Sequence, residues 1–216
     1  MSIGFAKRLA QGVFDVVSQA GGQIAAQALQ PEAQEAHRRP ISASEDEHFR
    51  MIFKKLAGED MEISAAELQN ILNKVIGNHE DLKTDGFSLE STRSMVALMD
   101  SDGTGKLGFE EFKILWNKIK EWQNVYKTHD VDCTGTMSCE ELADAICSAG
   151  FQLNDPLYSA IGLRYADESN SIDFDNFICC LVRLEAMFRA FKAYNRDGDD
   201  TISLNIMEWL ELSMYA

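Results

Sequence analysis

The 216-residue chain has only three prolines, an odd five cysteines, and 20 basic against 35 acidic side chains. Each shortage excludes something. A net charge of −15 leaves no basic field to displace counterions from a phosphate backbone, so nucleic acid is excluded as a partner. No apolar run reaches the length of about 18 residues that a membrane-spanning helix needs. The first residues lack the long apolar stretch of a secretory leader. The cysteines have no regular spacing and form no disulfide framework: Cys179 and Cys180 are adjacent, and Cys133 and Cys139 share one acidic segment. None sits in a nucleophile motif, so catalysis is not expected, and reduced cytoplasmic thiols are. The length allows one large domain or two small ones, and an apolar content of 45% suffices for a real core.

What is abundant is carboxylate at fixed spacing. Residues 100–111 place Asp100, Asp102, Thr104, Lys106 and Glu111 at positions 1, 3, 5, 7 and 12, with Gly105 at 6. Thirty residues on, 130–141 repeat the pattern with Asp130, Asp132, Thr134, Thr136, Glu141 and Gly135. This is the EF-hand calcium loop. A hard cation of that size takes six to eight oxygens, and a twelve-residue loop can surround it. Position 6 turns with φ > 0, which glycine allows. Position 7 lends only its carbonyl, so Lys106 and Thr136 are tolerated, and the glutamate at 12 supplies two oxygens. The threonines at position 5 replace the usual Asp or Asn, which lowers charge and keeps an oxygen.

Weaker versions of the unit fill most of the remaining chain. Residues 1–43, with Phe5, Leu9, Val13, Val16 and Val17 near one helical stripe, read as a flexible N-terminal extension. Ser44 and Glu47 form a capping box ahead of an apolar face carrying Phe49, Ile52, Phe53 and Leu56. An eleven-residue acidic loop follows, in which the carbonyls of Ala57 and Glu62 and the carboxylates of Asp60 and Glu67 could surround a cation. Residues 77–88 are a linker. The helix leaving the second loop runs without a breaker from Phe109 to Asp130 and carries Phe112, Trp116, Ile119 and Val125; it would join two hands as one rod. Asn154, Asp155 and Pro156 start a further helix, through Leu157, Ile161 and Leu163, into a degenerate loop. Aligning Ile172 with Leu107 and Met137 puts Tyr165 at position 1, Asp167 at 3, Asn170 at 6 and Asn176 at 12, so ordinary calcium binding is not expected there. A fifth loop begins at Asn195 and offers Ile206 at position 12, which cannot coordinate.

The expected fold is all-α: five EF-hands in one domain over 44–216, with short antiparallel β contacts between paired loops. Four hands satisfy one another as first with second and third with fourth. The fifth is left with unpaired backbone groups and the apolar Trp209 and Leu210, an edge that invites a second chain.

Residues 56–64, 70–75, 81–87, 104–113, 173–178, 180–184 and 208–210 carry a specific likeness. Through them the sequence resembles the penta-EF-hand family, and within it the calpain regulatory small subunits. That resemblance implies calcium at the first three hands and a further weak site joining Asp85 to Asp173, Asp175 and Asn176. It implies a non-catalytic chain that stabilises and regulates a calpain catalytic large subunit, bound as a heterodimer through the fifth hand, with a homodimer formed in that partner's absence. Cytoplasmic placement with weak membrane association on calcium binding belongs to the same expectation, although the family's oligoglycine arm is reduced here to Gly21 and Gly22. The alternative is an independent penta-EF-hand homodimer acting as a calcium-dependent adaptor for peptides or membranes.

Overall fold

The computed structural model describes residues 43–76, 81–195 and 201–215, with side chains from Asp46 onward apart from those of Glu211, Met214 and Tyr215. The expectations for residues 1–42, for the side chain of Ser44 and for the early part of the fifth loop lie outside what is described. Among the described residues eight helices and two short strands follow in order. They are α1 (Ala43–Ala57), α2 (Ala65–Ile76), α3 (Leu89–Met99), α4 (Phe109–His129), β1 (Met137–Ser138), α5 (Cys139–Ser148), α6 (Asp155–Tyr165), β2 (Ser171–Ile172), α7 (Phe174–Tyr194) and α8 (Ile206–Tyr215). Helix α1 is already under way at Ala43, one residue before the expected cap.

The helices that leave the first, second, third and fifth loops start in the same way, whereas α7, after the fourth, is capped by Asp173 through the amide of Asn176. Ser138 accepts the N–H of Glu141 while Glu141 accepts the N–H of Ser138 at 2.9 Å, a complete capping box. Ser64 with Glu67 and Asn205 with Glu208 repeat it. At Gly108, which has no side chain, only the glutamate half survives, from Glu111 at 2.9 Å. In the first three hands the glutamate three residues into the helix is thus both a helix cap and the last residue of the loop.

The loops pair as expected. Ile63 and Leu107 exchange two 2.9 Å backbone hydrogen bonds, joining the first and second hands. Met137 pairs antiparallel with Ile172, joining the third and fourth. All four central residues are fully buried. Among the described residues no such bridge reaches Ile202 of the fifth loop.

One continuous core holds the pairs together. Its axis is α4, whose 21 residues span about 30 Å. Phe112, Leu115, Trp116, Ile119, Trp122 and Tyr126 are buried along it, with Val125 at the margin of the stripe. Helix α7 is a second rod, buried at Phe174, Phe177, Ile178 and Leu181 and open to solvent further on, where Phe188 is exposed. Lys118 of α4 reaches Glu185 of α7 at 3.1 Å. Helix α6 departs from its sequence pattern: of its apolar residues Ile161 is buried, while Leu163 is 90% exposed and Leu157 is exposed as well. Asn154 caps it through the N–H of Leu157 at 3.1 Å.

The linker is where the fold ties itself together. Lys83 donates its N–H to the carbonyl of Gly135 and accepts from the N–H of Phe174, each at 3.0 Å, so the segment after Asp81 is threaded between the third and fourth hands. Asn73 and Gln69 of α2 hold the other end by accepting from the N–H of Phe87 at 2.7 Å and donating to its carbonyl at 3.1 and 2.9 Å. The first two hands are therefore anchored to the third and fourth by a strap as well as by α4.

Candidate metal centres

In the second loop the backbone amides turn inward and hold the carboxylates. Asp100 accepts from Gly103 and Thr104 on one oxygen, at 2.8 and 3.1 Å, and from Gly105 on the other at 2.8 Å. The N–H of Gly105, with those of Gly103 and Thr104, holds the Asp100 carboxyl below its ordinary range despite some burial. Asp102 accepts from Thr104 at 3.2 Å. Glu111 takes the amide and hydroxyl of Ser101 on one oxygen, both at 2.7 Å, and the amide of Gly108 on the other, closing the loop from position 2 to position 9. Burial opposes the charge of Glu111, and these bonds still keep its carboxyl below the usual range. Oxygens of Asp100, Asp102 and Glu111 all lie within 4.8 Å of one another. Three hard oxygen donors held this close, anionic and oriented by N–H groups, fit a calcium ion.

The third loop is built alike. Asp130 accepts from Thr134 at 3.0 Å and from Gly135 at 2.9 Å, Asp132 accepts from Thr134 at 3.2 Å, and Glu141 accepts from Val131 and Ser138 at 3.3 and 2.9 Å. Thr134 holds the Asp132 carboxyl low. In both loops the position-5 hydroxyl points at the position-7 carbonyl, Thr104 to Lys106 at 3.3 Å and Thr134 to Thr136 at 3.0 Å, which brings two more expected oxygen donors together. Among the described residues the carboxylates of this loop do not meet the close grouping that Asp100, Asp102 and Glu111 form. Gly105 and Gly135 adopt φ of +74° and +75°. At Gly135 glycine is also needed for space, since a Cβ would stand 3.2 Å from the backbone nitrogen of Lys83.

The first loop is held differently. Glu67 accepts the amide and hydroxyl of Ser64 at 2.9 and 2.7 Å, and Ala57 is buried. Asp60 accepts from the amide of Glu62 at 3.4 Å on one oxygen and faces the ammonium of Lys106 at 2.8 Å on the other. In the fourth loop Asp167 binds the amides of Ser169 and Ser171 at 2.8 and 2.9 Å, and Asn170 takes φ of +60°, so it closes on its own hydrogen bonds. In the fifth, Glu208 caps α8 but stands two residues past position 12, which is Ile206.

The additional site implied by resemblance is brought together in part. Thr84 donates to Asp175 at 2.6 Å and the amide of Asp85 reaches the same oxygen at 3.2 Å. Asp173 caps α7 through the amide of Asn176 at 3.2 Å. Asp175 is buried, and that burial pushes its carboxyl up to about 6 in spite of the Thr84 bond, with Asp173 adding repulsion. A buried carboxylate held at this cost is one a cation would relieve.

Tyr126 is the functional residue the sequence did not announce. Fully buried, it shares its hydroxyl proton between the carbonyl of Gly135 in the third loop, at 3.1 Å, and that of Ile172 in the fourth, at 2.9 Å. Burial, with Asp130 nearby, raises its phenol well above the ordinary value, so it stays a donor. Its one sequence signal is its place in the α4 stripe, four residues before Asp130. Tyr126→Phe is expected to cost about 1–2 kcal/mol, lowering Tm by about 2–8 °C for a chain of this size. A calorimetric melt in chelator checks this, and an unchanged Tm would mean the hydroxyl ties nothing.

With this geometry in hand, the likenesses are specific. A family model for an EF-hand domain pair matches residues 59–119, and one described as Calpain-13-like, C-terminal EF-hand matches residues 122–191. Calpain small subunit 1 of Bos taurus is 55% identical over 214 residues, which cover 98% of this chain and 80% of that protein. The same protein of Homo sapiens is 55% identical, covering 98% and 79%. Among solved structures, a homolog of programmed cell death 6 protein from Leishmania major Friedlin shares the fold at a TM-score of 0.54 and 20% identity, covering 77% of this chain and 92% of that one.

Proposed function

The chain belongs to the calpain small subunit family of EF-hand proteins, and from that premise we propose that it serves as the non-catalytic, calcium-binding regulatory partner of a calpain catalytic large subunit. The observation that carries the reading is the convergence of Asp100, Asp102 and Glu111 at the head of α4, whose far end enters the third loop. Bound calcium would supply the charge that lets these carboxylates close together. The proposed ligands are Asp100, Asp102, Thr104, Glu111 and the carbonyl of Lys106 in the second hand. In the third they are Asp130, Asp132, Thr134, Glu141 and the carbonyl of Thr136. Asp60 and Glu67 with the carbonyls of Ala57 and Glu62 serve the first, and Asp85, Asp173, Asp175 and Asn176 a weaker fourth site.

The large subunit meets the fifth hand, and a second copy of this chain takes that place when it is absent. Supporting this, α8 leaves Trp209 and Leu210 57% and 49% exposed, beside exposed Ile206 and Met207. Two of the five free thiols are poor nucleophiles: burial pushes Cys179 and Cys180 up to about 11 and about 12. The chain's place is the cytoplasm, a reading supported by five free thiols. Weak membrane association falls to residues 1–43.

Co-expression with a calpain large subunit, followed by size exclusion with light scattering, tests the proposal. The expected result is a one-to-one complex and a higher yield of active protease than the large subunit gives alone. Separate elution with no change in yield would defeat it.

A further inference from the structure

The sequence assigns Lys106 only a carbonyl, at position 7 of the second loop, but its side chain lies on the first. Its ammonium stands 2.8 Å from Asp60 and 3.4 Å from Glu62. The backbone dictates this placement. Leu107 is pinned to Ile63 and buried in the core. Neighbouring side chains alternate across an extended pairing, so Lys106 leaves on the opposite face, over the loop that precedes Ile63.

Asp60 is not a spare carboxylate. Ala57 gives the first hand no side-chain oxygen at its opening position, so Asp60 and Glu67 are its two expected carboxylate ligands. One Asp60 oxygen already takes the amide of Glu62, and the other takes the ammonium. An ammonium on one oxygen of that carboxylate lowers the gain from a divalent ion on the same group, because the two cations repel each other.

We propose that Lys106 is a tethered cation that competes with calcium for Asp60, so that the second hand sets the affinity of the first. The first hand then fills more readily as the ammonium withdraws. Because the carbonyl of the same residue lines the second loop, facing the Thr104 hydroxyl at 3.3 Å, the two hands share one residue in two roles. Coupling through it is reciprocal: what draws Lys106 away favours the first site, and filling the first site releases Lys106. The pair is solvent-exposed, so the tether is a modest one, and its removal tightens the first hand by about threefold to tenfold.

The inference rests on the first hand being a calcium site, and the test separates the two. Calcium chloride is titrated into the full chain while the backbone amides of Glu62 and Ser64 report the first hand and that of Gly135 the third. In Lys106→Met the first-hand midpoint is expected to fall by about threefold to tenfold with the third-hand midpoint unchanged. Lys106→Gln should show the same shift, and Lys106→Arg, which keeps the charge, a midpoint near that of the unaltered chain. An unchanged or higher first-hand midpoint in both neutral variants would overturn the tether, as would an equal fall at the third hand, which marks a general charge effect. No response of Ser64 in any of the chains would overturn the first calcium site and the tether with it.

Discussion

Glu111→Gln is expected to remove one tight calcium from the chain, and Glu141→Gln another, each weakening its own loop on the order of 100-fold, about 3 kcal/mol. The size follows from what each glutamate does. Glu111 is the carboxylate that meets Asp100 and Asp102 within 4.8 Å, and both of its oxygens also close the loop onto Ser101 and Gly108. Glutamine keeps one carbonyl oxygen for the Gly108 amide but places an NH₂ where the Ser101 amide needs an acceptor, and it loses the charge. The helix start should survive, since α4 is held along its length by buried residues from Phe112 to Tyr126. Calorimetric titration checks this: each variant should lose one tight site and the double variant both. Full stoichiometry in Glu111→Gln would mean that the convergence is not a calcium site.

The second large effect is on assembly. Trp209→Asp is expected to weaken association with the large subunit, and self-association in its absence, on the order of 1,000-fold, because a buried aromatic anchor is worth up to about 4 kcal/mol at an interface. Trp209 and its neighbours on α8 are exposed in the single chain, and no strand partner reaches Ile202 among the described residues, so little within the chain depends on them. The substitution should therefore leave calcium binding at 100–111 and 130–141 in place. Sedimentation measures the first effect and a calcium titration the second. A variant that still dimerises at wild-type concentrations would remove the fifth hand from the interface.

How far these features could be read from the sequence depends on whether the demand on a residue is local. A calcium loop needs oxygen at alternate positions, a turn at the sixth and a glutamate at the twelfth, so the spacing within 100–111 and 130–141 is enough to mark both as EF-hand loops. Pairing followed from the central apolar residues, and Ile63 with Leu107 and Met137 with Ile172 meet as expected. The threading of the linker was not legible, because Lys83 is held through backbone groups of Gly135 and Phe174, which no side-chain pattern encodes. Helix α6 misled for a related reason: Leu163 is apolar at a position that no other element covers among the described residues, and it is 90% exposed. Tyr126 and the ammonium of Lys106 were hidden by their other roles, one as a member of a packing stripe and one as a carbonyl donor. In each case the sequence showed the residue type, and only the long-range contact showed the use.

The most direct test of the whole account is a calcium-saturated crystal structure of the chain, read for metal in each loop and for what covers Trp209. The account predicts ions coordinated by Asp100, Asp102 and Glu111 and by Asp130, Asp132 and Glu141, with Lys106 withdrawn from Asp60 where the first loop is filled. It predicts the fifth hand of a second chain packed over Trp209. Metal-free second and third loops at saturating calcium, or Trp209 bare with the chains joined elsewhere, would contradict it.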